Sequence, residues 1–355
     1  MKQICLIGNI GNEKKTSSGQ IIRTRILHDA LTQKYGLKNV YVINTSEYSK
    51  NALLIIYKTI KSLFISKVYI VILSGNGRRF FFPILKFFKK FFGKIVLNNI
   101  VGGDYADSVK KYPKYIDYSN SFDVNWVQMK SMKNELEKIG IKNVEVLPNS
   151  KPLKLLALNK WTSRNYQPFQ FCTFSRVSKE KGVELAINAI QNINDRAGKI
   201  IVELTIFGQV DDEYKEQFIK IMENSSEAIH YGGIVDYNKT TDVLKNYYML
   251  LFPTTFYGEG FPGTILDSYA SGLPVIASSW KFNNELVIKN KTGFIYEYDK
   301  PEQLEEYIIY SVCHVNEVEK MRNNCIMEAK KYIPENVMPI IFNKIDKYNN
   351  IVDNK

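Results

Sequence analysis

Short apolar runs alternating with helix-length segments constrain this chain more than any other feature, because the alternation starts twice. QICLIG at 3–8 reads as a buried strand that leads through a Gly/Asn/Lys loop into a helix from Gly19, with IIRTRILHDALTQKY as its body. VYVIN (40–44), an apolar helix to about Phe64, VYIVIL (68–73), a basic aromatic helix, KIVLNN (94–99), a helix near 106–112, VNWVQ (124–128) and NVEVLPN (143–149) continue the series. After a polar connector containing Trp161 the pattern begins again. FQFCTFSRV (169–177), GVELAINAIQNI, IIVELTIFG, a helix around 213–223, AIHYGG, a helix ending at Tyr247 and MLLFPT (249–254) lead into EGFPGTILDSYASGLPVIAS, whose last residues are again a strand. Strands alternating with helices predict parallel sheets covered on both faces. The expected fold class is α/β, with two Rossmann-like doubly wound domains facing across a cleft. A chain of 355 residues fits two domains of ordinary size. We set them at 1–150 and 151–334, with a helix at 335–355.

Composition narrows the classes of partner. Apolar residues at 45% and charged residues at 24% exclude a disordered chain, and the net charge of +12 favours anionic ligands without choosing among nucleic acid, phosphorylated small molecules and acidic lipid headgroups. Cys5, Cys172, Cys313 and Cys325 show no CxxC spacing and are read as free, mostly buried thiols. The N-terminal segment lacks a cleavage-site pattern and reads as a first strand rather than a signal peptide. Residues 52–73 are broken by Lys58, Lys61 and Lys67, so no stretch is long enough to span a bilayer. The expected location is cytoplasmic, peripheral on the inner face of the plasma membrane.

Two segments converge on an anion. In FSRVSKEKG (174–182), Arg176 and Lys181 lie in the loop before a helix that starts near Gly182, so two cations and free backbone N–H groups meet there. Strand ends of a parallel sheet share one edge, so the glycine-rich turn at 258–263 can face that loop. Glu259 would meet hydroxyls near the anion, and Asp267 would accept from a diol further along the ligand. A diphosphate between a sugar and a ribose has that pattern of charge and hydroxyls. The plain alternatives are a solvated basic loop, a helix-capping Glu259 and an exposed Asp267.

Together with FGQ (207–209), HYGGIV (230–235) and SGLPVIAS, this motif order resembles the donor half of retaining glycosyltransferases of family 4, group 1 type enzymes of bacterial surface polysaccharide synthesis with the GT-B fold. The resemblance implies that Arg176 and Lys181 hold the donor diphosphate and that Glu259 contacts the transferred sugar beside Gly260 and Phe261. Pro262, Gly263 and Thr264 complete that turn, and Asp267 binds the ribose. It further implies that Gly208 and the loop Gly232, Gly233, Ile234 and Val235 lie at the nucleotide, and that Gly19 and Gln20 approach the phosphates. The helix after Pro334 would cross back onto the N-terminal domain. The last acid of this family's motif is glutamate, and this chain has Asp267. A UDP-sugar is the favoured donor, a glycan or lipid-linked oligosaccharide the acceptor, and no cofactor or catalytic metal is expected; no D-x-D triplet occurs. Many members carry a histidine near the transferred sugar. Here His28, His230 and His314 all lie elsewhere, and Asp104 in GGDYAD is the substitute we consider for assisting the acceptor hydroxyl.

Basic and aromatic residues interleave in RRFFFPILKFFKKFFGK (78–94). We favour an anionic membrane surface for Phe87, Phe88, Lys89, Lys90, Phe91 and Phe92 over a helix packed in the core. Two other classes were weighed. A nicotinamide oxidoreductase lacks its G-x-G-x-x-G and has Asn44 where an acid would hold the ribose. A non-enzymatic binder of anionic ligands would rest on net charge alone, and no motif for specific nucleic-acid binding is present.

Overall fold

The computed structural model describes residues 3–11, 19–47, 51–158 and 167–353. The Trp161-bearing part of the connector and residues 12–18 of the first loop lie outside them. The chain divides into two compact units, one of residues 1–151 with 332–355 and one of residues 152–331.

The first unit runs β1 (Gln3–Gly8), α1 (Gly19–Tyr35), β2 (Val40–Asn44), α2 (Ala52–Ile65), β3 (Ser66–Ile72), α3 (Gly75–Phe92), β4 (Ile95–Asn99), α4 (Tyr105–Lys111), α5 (Lys114–Ser121), β5 (Val124–Val127), α6 (Lys130–Lys138) and β6 (Val144–Val146). Its strands are parallel in the order β2-β1-β3-β4-β5-β6. All seven residues of β3 are buried, which is why these strands read as continuous apolar runs rather than alternating ones. Leu6, Ile70, Leu97 and Trp126 of the sheet share a core with Leu27 and Leu31 of α1.

The second unit runs β7 (Phe169–Phe174), α7 (Val183–Ala197), β8 (Val202–Phe207), α8 (Lys215–Glu223), β9 (Ile229–Gly233), α9 (Thr240–Leu244), β10 (Met249–Phe252), α10 (Gly263–Ala270), β11 (Val275–Ser278), α11 (Asn283–Leu286), β12 (Gly293–Tyr296), α12 (Glu302–Cys313) and α13 (Val315–Ala329). Its parallel order is β12-β11-β10-β7-β8-β9. The chain then returns to the first unit as α14 (Pro334–Asp353). There Val337 and Ile341 join the core over α1, and Tyr35 donates to Asp346 at 2.9 Å. Among the described residues no helix is long and apolar enough to cross a membrane.

Each strand order reverses once, between β1 and β3 in the first unit and between β7 and β10 in the second. Helices leave such a reversal on opposite faces of the sheet, which opens a crevice outside the carboxyl ends of the two strands. Both crevices lie next to residues singled out by the sequence.

Candidate functional site

In the second unit the loops after β7 and β10 meet at the reversal. Lys181 Nζ lies 2.5 Å from Glu259 Oε2, and both side chains are about nine-tenths buried. The Thr254 hydroxyl donates to the same carboxylate oxygen at 3.1 Å. Lys181 also stands over the Phe256 ring, 4.9 Å from its centroid, and over Phe252 at 5.7 Å. The ammonium is thus fixed between a carboxylate and two aromatic faces, a geometry that leaves it little rotamer freedom to lose on meeting a ligand.

Backbone packing holds this arrangement tightly. Gly182 has φ +73°, and a Cβ there would sit 2.2 Å from the Pro253 carbonyl oxygen, so only glycine lets the β7 loop close against the end of β10. Immediately beyond it α7 begins with no side-chain cap. Its first N–H groups are therefore unclaimed by a capping side chain at the end of the sheet where Lys181 stands. Thr264, in the first turn of α10, donates to the Phe174 carbonyl at 2.7 Å and ties that helix to the end of β7.

Arg176 departs from the expected convergence. It is more than half exposed, pairs with Asp211 at 3.2 Å and lies 5.5 Å from the Phe256 centroid, so Phe256 is shared by both cations. Asp211, in the loop after β8, is thus the partner of Arg176. Asp267 is 6% exposed on α10 and does not join the Lys181–Glu259 pair. It lines a cavity of about 360 Å³ with Pro152, Leu153, Lys154, Tyr237 and Thr241. Burial, helped by the Asp267 charge, pushes the Tyr237 phenol up to about 12. Gly208 is pinned under Ser175, and Gly232 lies against the Phe207 ring. Gly233 has open space around it, and Ile234 is 70% exposed. Gly260 is half-buried beside Glu259, Phe261 and Pro262 are buried, Gly263 opens α10, and Val235 is half-buried.

Thr254, Phe256 and Tyr237 were not singled out by sequence. PTTFYGEG places Thr254 five residues and Phe256 three residues before Glu259, but only the fold of the turn brings them onto the two ions. Tyr237 and the 152–154 connector gave no signal at all.

The first unit places its residues around a different opening. Gln20 Nε2 donates to the Ile72 carbonyl at 3.0 Å. With Asn9, Thr45, Ser74 and Asn76 over a floor of Leu73 and Phe81, it lines a cavity of about 380 Å³ at the β1–β3 reversal. Gly19 is exposed where α1 begins. Asp104 occupies the cap position of α4 without capping it, and its charge acts on Arg78, whose guanidinium burial otherwise lowers. On α3, Phe87, Lys90, Phe91 and Phe92 are exposed. Phe88 and Lys89 require correction. Phe88 is buried with its centroid 5.8 Å from that of Tyr69, and Lys89 is paired with Asp123 at 2.7 Å. Of the cysteines, Cys5, Cys172 and Cys325 are buried, Cys313 is exposed, and all four are free.

Residues 158–332 match the sequence family described as glycosyl transferases group 1. An uncharacterized glycosyltransferase of Methanocaldococcus jannaschii is 24% identical over 251 residues, covering 70% of this chain and 58% of its own. The GtfA subunit of the UDP-N-acetylglucosamine–peptide N-acetylglucosaminyltransferase of Streptococcus agalactiae is 31% identical over 153 residues, 42% of this chain and 28% of its own. The chain therefore spans less than two thirds of the length of these curated relatives. The crystal structure of Anabaena HepE in complex with UDP superposes with a TM-score of 0.75 at 11% identity, over 97% of this chain and all of that one. Residues 158–332 thus match the group 1 glycosyl transferase family, and the chain has the α/β fold of GT-B glycosyltransferases.

Proposed function

We propose that this protein transfers a sugar from a nucleotide-diphosphate donor, with a UDP-sugar favoured, to a hydroxyl of a glycan or lipid-linked oligosaccharide, with retention of anomeric configuration as in family 4. The observation that supports it most is the buried Lys181–Glu259 pair beside the start of α7, at the reversal of a sheet whose sequence matches a sugar-transferring family. In the reaction the bond between the sugar C1 and the diphosphate oxygen breaks, and a bond from C1 to the acceptor oxygen forms. Negative charge grows on the departing diphosphate. Lys181, Arg176 and the first turn of α7 supply fixed positive charge for it, so this reading assigns no metal a role. Glu259 accepts from hydroxyls of the transferred sugar while holding Lys181 in place. Asp267, beside Tyr237, takes the ribose in the adjoining cavity. Gly208 and the Gly232–Gly233–Ile234–Val235 loop flank the base, and Gln20 approaches the phosphates.

The acceptor, in the same reading, uses the uncharged amide and hydroxyl lining of the first unit's cavity, and Asp104 assists loss of its proton. The resemblance assigns the reaction to assembly of a bacterial surface polysaccharide, with the exposed end of α3 on an anionic membrane.

Calorimetric titration with UDP, GDP, ADP and dTDP tests the donor assignment. One nucleotide should bind in the micromolar range to the wild type and at least tenfold more weakly to Arg176→Ala and to Asp267→Asn. If none binds to the folded protein, the assignment fails. Asp104→Asn should lower kcat for transfer and leave nucleotide affinity unchanged.

A further inference from the structure

Helix α2 faces the wrong way for a core helix. Its buried positions are Ile55, Thr59 and Ser62, at the spacing of one helical face, and two of the three are polar. Thr59 Oγ1 donates to the Ile55 carbonyl at 2.7 Å, and Ser62 Oγ donates to the Thr59 carbonyl at 2.6 Å and lies 3.2 Å from the Tyr69 hydroxyl of β3. Outward stand Leu53, Leu54, Ile56, Tyr57, Ile60 and Phe64, with Leu53 85% exposed and Phe64 78% exposed. Residues 53, 57, 60 and 64 recur at helical spacing, so the outward side is one apolar stripe. Water would normally face the hydroxyls and lysines of such a helix, and a contiguous apolar patch left outside marks an interaction surface.

The neighbouring α3 also exposes apolar side chains. Phe88 of α3 packs on the same Tyr69 that Ser62 meets, so the two helices cover one face of the first sheet. On α3 Phe87, Phe91 and Phe92 are exposed too, with ring centroids of Phe87 and Phe91 4.8 Å apart. Neither helix contains an aspartate or glutamate. Lys86 and Lys89 are neutralised by Asp117 and Asp123. Lys61 and Lys90 are exposed and Lys58 half-buried, and none of the three pairs with a carboxylate among the described residues. What remains is an apolar surface flanked by charge of one sign.

We propose that α2 is the principal membrane-seating element of this protein, lying in the plane of an anionic bilayer with the 53–57–60–64 stripe at the acyl boundary and Lys58, Lys61 and Lys90 among the lipid phosphates. Fourteen residues of helix span about 21 Å, too short to cross a hydrocarbon core of about 30 Å, so the helix lies on the bilayer rather than through it. A flank of cations alone complements phosphate headgroups, whereas a protein partner would need an acidic rim of its own. This inference deepens the surface reading of α3 and is independent of the donor-site assignments.

The full chain would be sedimented with vesicles of phosphatidylcholine alone and with vesicles that also contain phosphatidylglycerol. Wild type should partition onto the anionic vesicles and not the neutral ones. Leu53→Ser with Phe64→Ser should weaken partitioning about tenfold or more, and so should Lys58→Glu with Lys61→Glu, which leaves the buried Ile55, Thr59 and Ser62 of α2 unchanged. Unchanged far-ultraviolet circular dichroism is the fold control. The proposal is overturned if wild type ignores anionic vesicles. It is equally overturned if both α2 variants bind normally while Phe91→Ser with Phe92→Ser abolishes binding. A concentration-dependent dimer that the α2 variants dissolve would also overturn it, since a second copy would then be the occupant.

Discussion

At Gly208 a Cβ would stand 1.7 Å from the Ser175 carbonyl oxygen, and the backbone there has φ +137°. Gly208→Ala must therefore push the ends of β7 and β8 apart, and we expect a loss of more than about 4 kcal/mol, seen as a fall in the urea midpoint. Lys181 and Glu259 make a different kind of prediction. Either one alone leaves the other as a buried unpaired charge, so Lys181→Met or Glu259→Leu should each cost about 3–5 kcal/mol, and the double variant far less than their sum. Urea unfolding of the four proteins closes that cycle, and additive costs would show that the pair is not coupled. Spacing along the sequence places these two residues on neighbouring strand ends, and that much was legible. The partners of Arg176 were not. Asp211 comes from the loop after β8 and Phe256 from the turn after β10, and which side chain crosses to which loop is set by packing that no local pattern records.

Elements buried on both sides were the most readable, because an apolar run such as SKVYIVI has only one comfortable place. Periodicity says which residues of a helix share a face, but not which face turns inward. On the usual rule the Leu53–Phe64 stripe of α2 would point to the core, and the structure has Thr59 and Ser62 there instead. No element was given bounds from the sequence between residues 279 and 334, where α11, β12, α12 and α13 occur. β12 is four residues long, and α13 hides its role in Arg322, a charged side chain 1% exposed. Arg322 donates to the carbonyls of Gly272, Tyr247 and Tyr248, gathering the ends of α9 and α10 onto α13. Arg322→Met keeps the apolar stem and removes the donors, and should cost about 3 kcal/mol in urea unfolding. Thr264→Val, which unties α10 from β7, should cost about 1 kcal/mol by the same measurement.

For the whole molecule, the defining fact is that the chain leaves its first unit at Lys151 and re-enters it at Tyr332, where Lys151 N donates to the Tyr332 carbonyl at 3.1 Å. Removing Pro334–Lys355 should uncover Leu27 and Leu31. Scanning calorimetry should then show the transition of the first unit lowered or lost and that of the second unchanged; a shift of both would mean that the units do not melt separately. The same threading sets an order in time. While the polypeptide is being made, the sheet of the first unit is finished long before the helix that seals its α1 face exists. At about 5–20 residues per second, roughly 10–35 s pass between residue 151 and residue 332. During that interval a nascent sheet with Leu27 and Leu31 uncapped is a surface for chaperones, and the second unit reaches its native state as a guest inside a host still waiting to close.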